Sequence, residues 1–153
     1  VVEELDPEIN IASTAFIPED YIPDIDQRLS IYRRLSRLQS AEALADLKSE
    51  IADRFGPLPS EVSNLLVKIM LKIEAMAAGI QRLDFKGGIL TLVPADHRVA
   101  DPGRIVALAV ERPKRYRLSP DQSLQVRMQS GELQKPFGSI KKILREIGHY
   151  VNS

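Results

Sequence analysis

The chain contains no cysteine and no tryptophan, and only 5% of its 153 residues are aromatic. Without thiols there is no disulfide framework, no thiolate nucleophile and no sulfur ligand for a metal. The only histidines, His97 and His149, have no partner at ligand spacing, so a transition-metal site lacks donors and no cofactor is expected. Excess charge is missing too: 21 Lys and Arg balance 21 Asp and Glu, which removes bulk attraction to a polyanion. No apolar run approaches the ~18 residues of a membrane helix. Val1-Val2-Glu3-Glu4 has neither the basic nor the apolar region of a signal peptide. A cytoplasmic protein is expected, and the missing initiator Met suggests a piece of a longer one.

What is present is ordinary for a globular domain with a real core: 44% hydrophobic and 27% charged residues. The zero net charge conceals an asymmetry. Residues 1–60 hold 12 acids against 6 Lys and Arg, whereas residues 61–153 hold 9 against 15. Such halves can orient a protein partner, or can be uneven solvated charge.

The spacing of apolar residues predicts the elements. Ile9 to Ile17 reads as an extended segment. Pro18 and Pro23 then brace a connection around Tyr21. A helix follows from about Asp24 to Leu38, with Ile25, Leu29, Tyr32 and Leu35 on one face. Ser40 is a candidate N-cap for a second helix with a buried stripe of Leu44, Leu47, Ile51 and Phe55, stopped by Gly56-Pro57. Ser60 is a candidate cap for a third, central helix that Gly79 ends.

The period then alternates through Leu83-Phe85, the Lys86-Gly87-Gly88 turn and Ile89-Val93, which predicts a hairpin. Asp101-Pro102 opens a short helix, Tyr116-Leu118 and Leu124-Met128 form a second hairpin, and a last helix carries Ile140, Ile143, Leu144, Ile147 and Val151. The expected class is α+β: about five helices on a small, mostly antiparallel sheet, in the order β-α-α-α-β-β-α-β-β-α.

No catalytic constellation emerges. Lys86-Gly87-Gly88 lacks the Gly-Lys-Ser/Thr ending of a phosphate loop. Arg112, Lys114, Arg115, Arg117 and Arg127 surround Tyr116, with Lys141, Lys142 and Arg145 on the last helix. Basic strands with an aromatic can hold a nucleic-acid strand, though a single tyrosine is a thin stacking platform. On the second helix Glu42, Asp46, Glu50 and Asp53 fall within an arc of about 80°, opposite the apolar stripe. Glu42–Asp46 and Asp46–Glu50 are like-charge i,i+4 pairs, and Asp53 opposes the helix dipole. This face is either a docking surface for a basic partner or an ordinary solvated one.

Three motifs carry a family resemblance: Phe16-Ile17-Pro18-Glu19-Asp20-Tyr21-Ile22-Pro23-Asp24, Arg28-Leu29 with Tyr32-Arg33-Arg34-Leu35, and Glu50-Ile51-Ala52-Asp53-Arg54-Phe55-Gly56-Pro57. With them the chain resembles the C-terminal domain of the bacterial transcription-repair coupling factor (Mfd) family. The resemblance implies a parent that is an ATP-dependent DNA translocase, displaces stalled RNA polymerase and recruits nucleotide excision repair. Residues 1–8 would be the linker from its motor domain and residues 9–153 a single terminal domain. That domain is expected to be non-catalytic and autoinhibitory. It would dock on the UvrB-like N-terminal module of the same polypeptide and mask the surface that binds UvrA.

The family's acidic contacts correspond to Glu50 and Asp53; Asp46 is added from the helical wheel. UvrA and RNA polymerase would be reached only through the parent, and neither DNA nor a membrane is an expected partner. The alternative is a nucleic-acid-binding module using the basic second hairpin and last helix.

Overall fold

Five strands, β1 (Glu8–Ile11), β2 (Ile80–Lys86), β3 (Ile89–Pro94), β4 (Tyr116–Leu118) and β5 (Leu124–Arg127), form one sheet in the order β1-β2-β3-β5-β4. The computed structural model describes residues 5–95 and 102–152. The chain divides into two units, one built from the segment through Ala12 with everything from Glu74 onward, the other from Ser13–Ile73.

In the sheet unit β1 runs parallel to β2 and every other pair is antiparallel. A parallel pair needs a long crossover, and here the chain supplies it as the whole Ser13–Ile73 unit. Gly87 and Gly88, at φ 60° and 76°, make the two-residue turn between β2 and β3, where both central residues must be left-handed. One sheet face is apolar: Leu83, Leu90, Leu92, Leu124, Val126 and Tyr116 are buried. Helix α4 (Pro102–Glu111) buries Ile105 and Leu108, and α6 (Pro136–Asn152) buries Ile140, Ile143, Leu144 and Ile147. Between β5 and α6 lies a short helix, α5 (Ser130–Gln134), which hydrophobic spacing does not reveal because none of its residues is buried. Otherwise the α+β class and the element order are as expected.

The other unit is helical: α1 (Ile25–Ser36), α2 (Ala41–Phe55) and most of α3 (Ser60–Ala77). Asp24 caps α1 by accepting from the Asp26 N–H at 2.8 Å, and Ser40 caps α2 by accepting from Ala43 at 3.1 Å. Ser60 is the first residue of α3 rather than its cap. The Pro59 carbonyl before it accepts from the Ser63 N–H at 3.0 Å. The core gathers Ile17, Ile22, Ile31, Leu35, Leu44, Leu47, Ile51 and Leu66.

Two further expectations differ from the structure. The first strand ends at Ile11 instead of continuing to Ile17. The Phe16 N–H donates to the Glu61 carbonyl and the Ile17 N–H to the Tyr32 hydroxyl, so tertiary partners replace a ladder. On α1 the buried residues are Ile31 and Leu35, while Ile25 and Leu29 are 60% and 47% exposed. The helix presents a face rotated from the one that counting apolar residues selects. Asp101, expected to open the fourth helix with Pro102, and His97 lie outside the described residues.

Candidate functional site

The acidic face of α2 takes its direction from the residues beneath it. Leu44, Leu47 and Ile51 are buried, which turns Glu42, Asp46 and Asp53 outward into solvent and leaves Glu50 half-exposed at the margin. Asp46 and Asp53 carry no ion pair among the described residues. Glu50 is different. Arg34 of α1 binds it in a fork, Nη1 to Oε2 and Nη2 to Oε1 (the latter 2.8 Å), and Arg54 donates to Oε2 at 3.2 Å. The hydrogen bond from Arg34, followed by that from Arg54, holds the Glu50 pKa down to about 2. Arg54 in turn stands 4.9 Å over the Phe55 ring. The face therefore contains three carboxylates without an ion pair among the described residues, Glu42, Asp46 and Asp53, beside one already clasped by two guanidinium groups. Beside Asp46 and Glu50 the surface dips into a shallow depression edged by Arg34, Arg37 and Leu38.

The sequence reading picked out Glu50 but not Arg34, its principal partner. The signal existed: Arg33-Arg34 is part of the α1 motif, but nothing local says which acid it meets. The other motif residues are joined in the same unit. The Tyr21 hydroxyl donates to the Gly56 carbonyl at 2.8 Å, and its ring meets Phe55 edge-on, centroids 6.0 Å apart at 61°. Desolvation raises the Tyr21 pKa. Arg28 donates to the Ile22 and Pro23 carbonyls at 2.7 and 3.0 Å, which ties the proline connection to α1. Gly56 sits at φ 95°, ψ −173°, a conformation open essentially to glycine alone. Segments far apart in the chain are thus one physical cluster.

The TRCF domain family matches residues 11–105, more than half of the chain and all three clustered motifs. The chain belongs to this family.

Among its relatives, the transcription-repair-coupling factor of Myxococcus xanthus is 30% identical over 147 residues, covering 95% of this chain and 12% of that protein. That of Escherichia coli (strain K12) is 29% identical over 142 residues, again 12% of its length. The chain thus spans a small part of these relatives. A crystal structure of the C-terminal domain of a transcription-repair coupling factor superposes with a TM-score of 0.70 at 20% identity, covering 94% of each chain, and so shares the fold.

In this TRCF domain three of the basic residues around the second hairpin and on α6 serve internal ion pairs. Arg115 binds Glu132 in a fork, both contacts 2.7 Å, and the pair is shielded, with side chains 21% and 23% exposed. The Arg115 hydrogen bonds hold the Glu132 pKa down to about 2. Arg112 pairs with Glu146 of α6, and Arg145 with Glu74 at the end of α3, at 2.9 and 3.1 Å. Tyr116 is 1% exposed, so its ring offers no stacking surface to a base. Among the described residues, no cluster of His, Asp or Glu is placed to hold a metal ion, and no helix is long and apolar enough to cross a membrane.

Proposed function

We propose that this TRCF domain is a non-catalytic, autoinhibitory interaction module. It docks its α2 face on a basic surface of the UvrB-like N-terminal module of its own parent polypeptide, and so covers that module's UvrA-binding surface. The parent is taken to be an ATP-dependent DNA translocase that displaces stalled RNA polymerase and recruits excision repair. The supporting observation is the α2 face itself: Asp46 and Asp53 stand exposed and without ion pairs, on the side opposite Leu44, Leu47 and Ile51. Solvent-exposed carboxylates lose little by exchanging water for arginines, and complementary charge fixes the orientation of docking. Tethering raises the effective concentration of the partner, so modest intrinsic affinity holds the closed state and a conformational step releases it.

Asp53 is the cleaner probe of this contact. Glu50→Ala removes an acid but also frees Arg34 and Arg54, adding positive charge to the face. In the full-length parent, Asp53→Ala and the double variant Glu50→Ala/Asp53→Ala are expected to raise UvrA binding, the double variant more. Unchanged UvrA affinity together with unchanged DNA translocation in the double variant would overturn the proposal.

A further inference from the structure

The sheet has a second, outward face, and its charge is lopsided. Cross-strand register places Lys86 opposite Ile89, Ile89 opposite Arg127, and Gln125 opposite Arg117, so these side chains share the face opposite the buried Leu90, Leu92 and Val126. Toward β1 the charges on this face are internally compensated: Asp84 accepts from Asn10 at 2.6 Å and from Arg82 at 3.2 Å. Toward β4 they are not. Lys86, Lys114, Arg117 and Arg127 are exposed and have no ion-pair partner among the described residues. In their midst Ile89 is 51% exposed, at the rim of a groove of about 410 Å³ that Lys114, Arg117 and Arg127 also line.

We infer that this groove is a docking site for an acidic polypeptide segment that brings an apolar side chain to Ile89. The occupant follows from the chemistry of the lining. Three unpaired cations of the lining, Lys114, Arg117 and Arg127, with Lys86 across the strand from the large exposed side chain of Ile89, complement carboxylates flanking a leucine or valine. A nucleic-acid backbone satisfies the cations but leaves Ile89 without a complement, and Tyr116, the aromatic that borders the groove, is only 1% exposed and offers a base no stacking surface. The groove lies in the sheet unit and uses none of the α2 residues, so it is independent of the docking proposed above.

The test uses the 153-residue chain and a fluorescein-labelled ten-residue probe in which glutamates flank two leucines. Saturable binding is expected in fluorescence anisotropy. Arg117→Glu/Arg127→Glu should weaken it roughly tenfold or more, and Ile89→Ser roughly three- to tenfold. Lys48→Glu/Lys68→Glu, on the exposed surfaces of α2 and α3, makes an equal change of charge elsewhere and should leave binding unchanged. Circular dichroism of each variant distinguishes lost binding from lost folding, since every substituted position is exposed.

A single-stranded oligonucleotide of equal charge that binds more tightly than the peptide, and is indifferent to Ile89→Ser, overturns the inference in favour of phosphate recognition. A self-associating chain that Arg117→Glu/Arg127→Glu makes monomeric overturns it in favour of a second copy. Equal binding by wild type and Arg117→Glu/Arg127→Glu overturns it outright.

Discussion

Arg34 on α1 grips both carboxylate oxygens of Glu50 on α2, and Arg54 shares one of them. Three of the roughly four acceptor positions of that carboxylate are thus filled within the domain. A partner arginine reaching Glu50 must share it with Arg34 or displace it. Arg34→Ala is therefore expected to raise the Glu50 pKa from about 2 toward its ordinary value of 4.5, with Arg54 retaining part of the depression. Carboxyl carbon chemical shifts followed through an acid titration measure it directly. An unmoved titration would mean that the fork does not persist in solution.

The Arg115–Glu132 pair gives a pH signature. The folded pKa of Glu132 is about 2, below its ordinary 4.5, so its contribution is complete above about pH 4.5 and lost as pH falls toward 2. Glu132→Gln should cost about 1–3 kcal/mol at neutral pH, the scale of a part-buried charged hydrogen bond. Urea unfolding at pH 7 and again near pH 3 should show the gap between wild type and variant narrowing in acid. A gap of constant size would assign the loss to packing instead of charge.

Tyr21→Phe keeps the ring against Phe55 and deletes only the hydroxyl that donates to Gly56. The expected loss is about 0.5–1.5 kcal/mol, the net value of one hydrogen bond. Tyr21→Ala, which also removes the ring, should cost more. If the two variants unfold at the same denaturant concentration, the ring contact contributes nothing.

Gly56→Ala isolates backbone strain. A Cβ there meets nothing within 4 Å, so only its φ of 95° is at issue, and the penalty should be about 1–3 kcal/mol. Gly131 in α5 also has open space around it but no such φ, so Gly131→Ala should be neutral or stabilise by up to about 1 kcal/mol. A loss for Gly56→Ala with none for Gly131→Ala is the expected result; equal losses would contradict the strain argument.

Much of the fold was legible because its signals are local. Ser40 announces α2 and accepts from a backbone N–H three residues on; Gly87-Gly88 announces the β2–β3 turn and adopts both left-handed conformations. The candidate site was legible in part. Helical periodicity alone puts Asp46, Glu50 and Asp53 opposite a buried stripe, because that stripe lies in the same helix. It could not distinguish Glu50, which is clasped, from Asp53, which stands open, since the clasp comes from a residue 16 positions away. The basic residues of the hairpin and last helix show the same limit: nothing local says that Arg112, Arg115 and Arg145 meet Glu146, Glu132 and Glu74.

The sequence by itself determined the order of the strands and longer helices, the Ser40 cap, the Gly87-Gly88 turn and the family, because each rests on residues that are neighbours in the chain. Only the tertiary structure decided that α1 buries Ile31 in place of Ile25 and Leu29, and that Phe16 and Ile17 bond to α3 and Tyr32 instead of a strand. It alone turned Tyr116 inward and left Ile89 outward among cations. Those outcomes depend on which distant groups compete for each face and each backbone donor, and chain closure settles that competition.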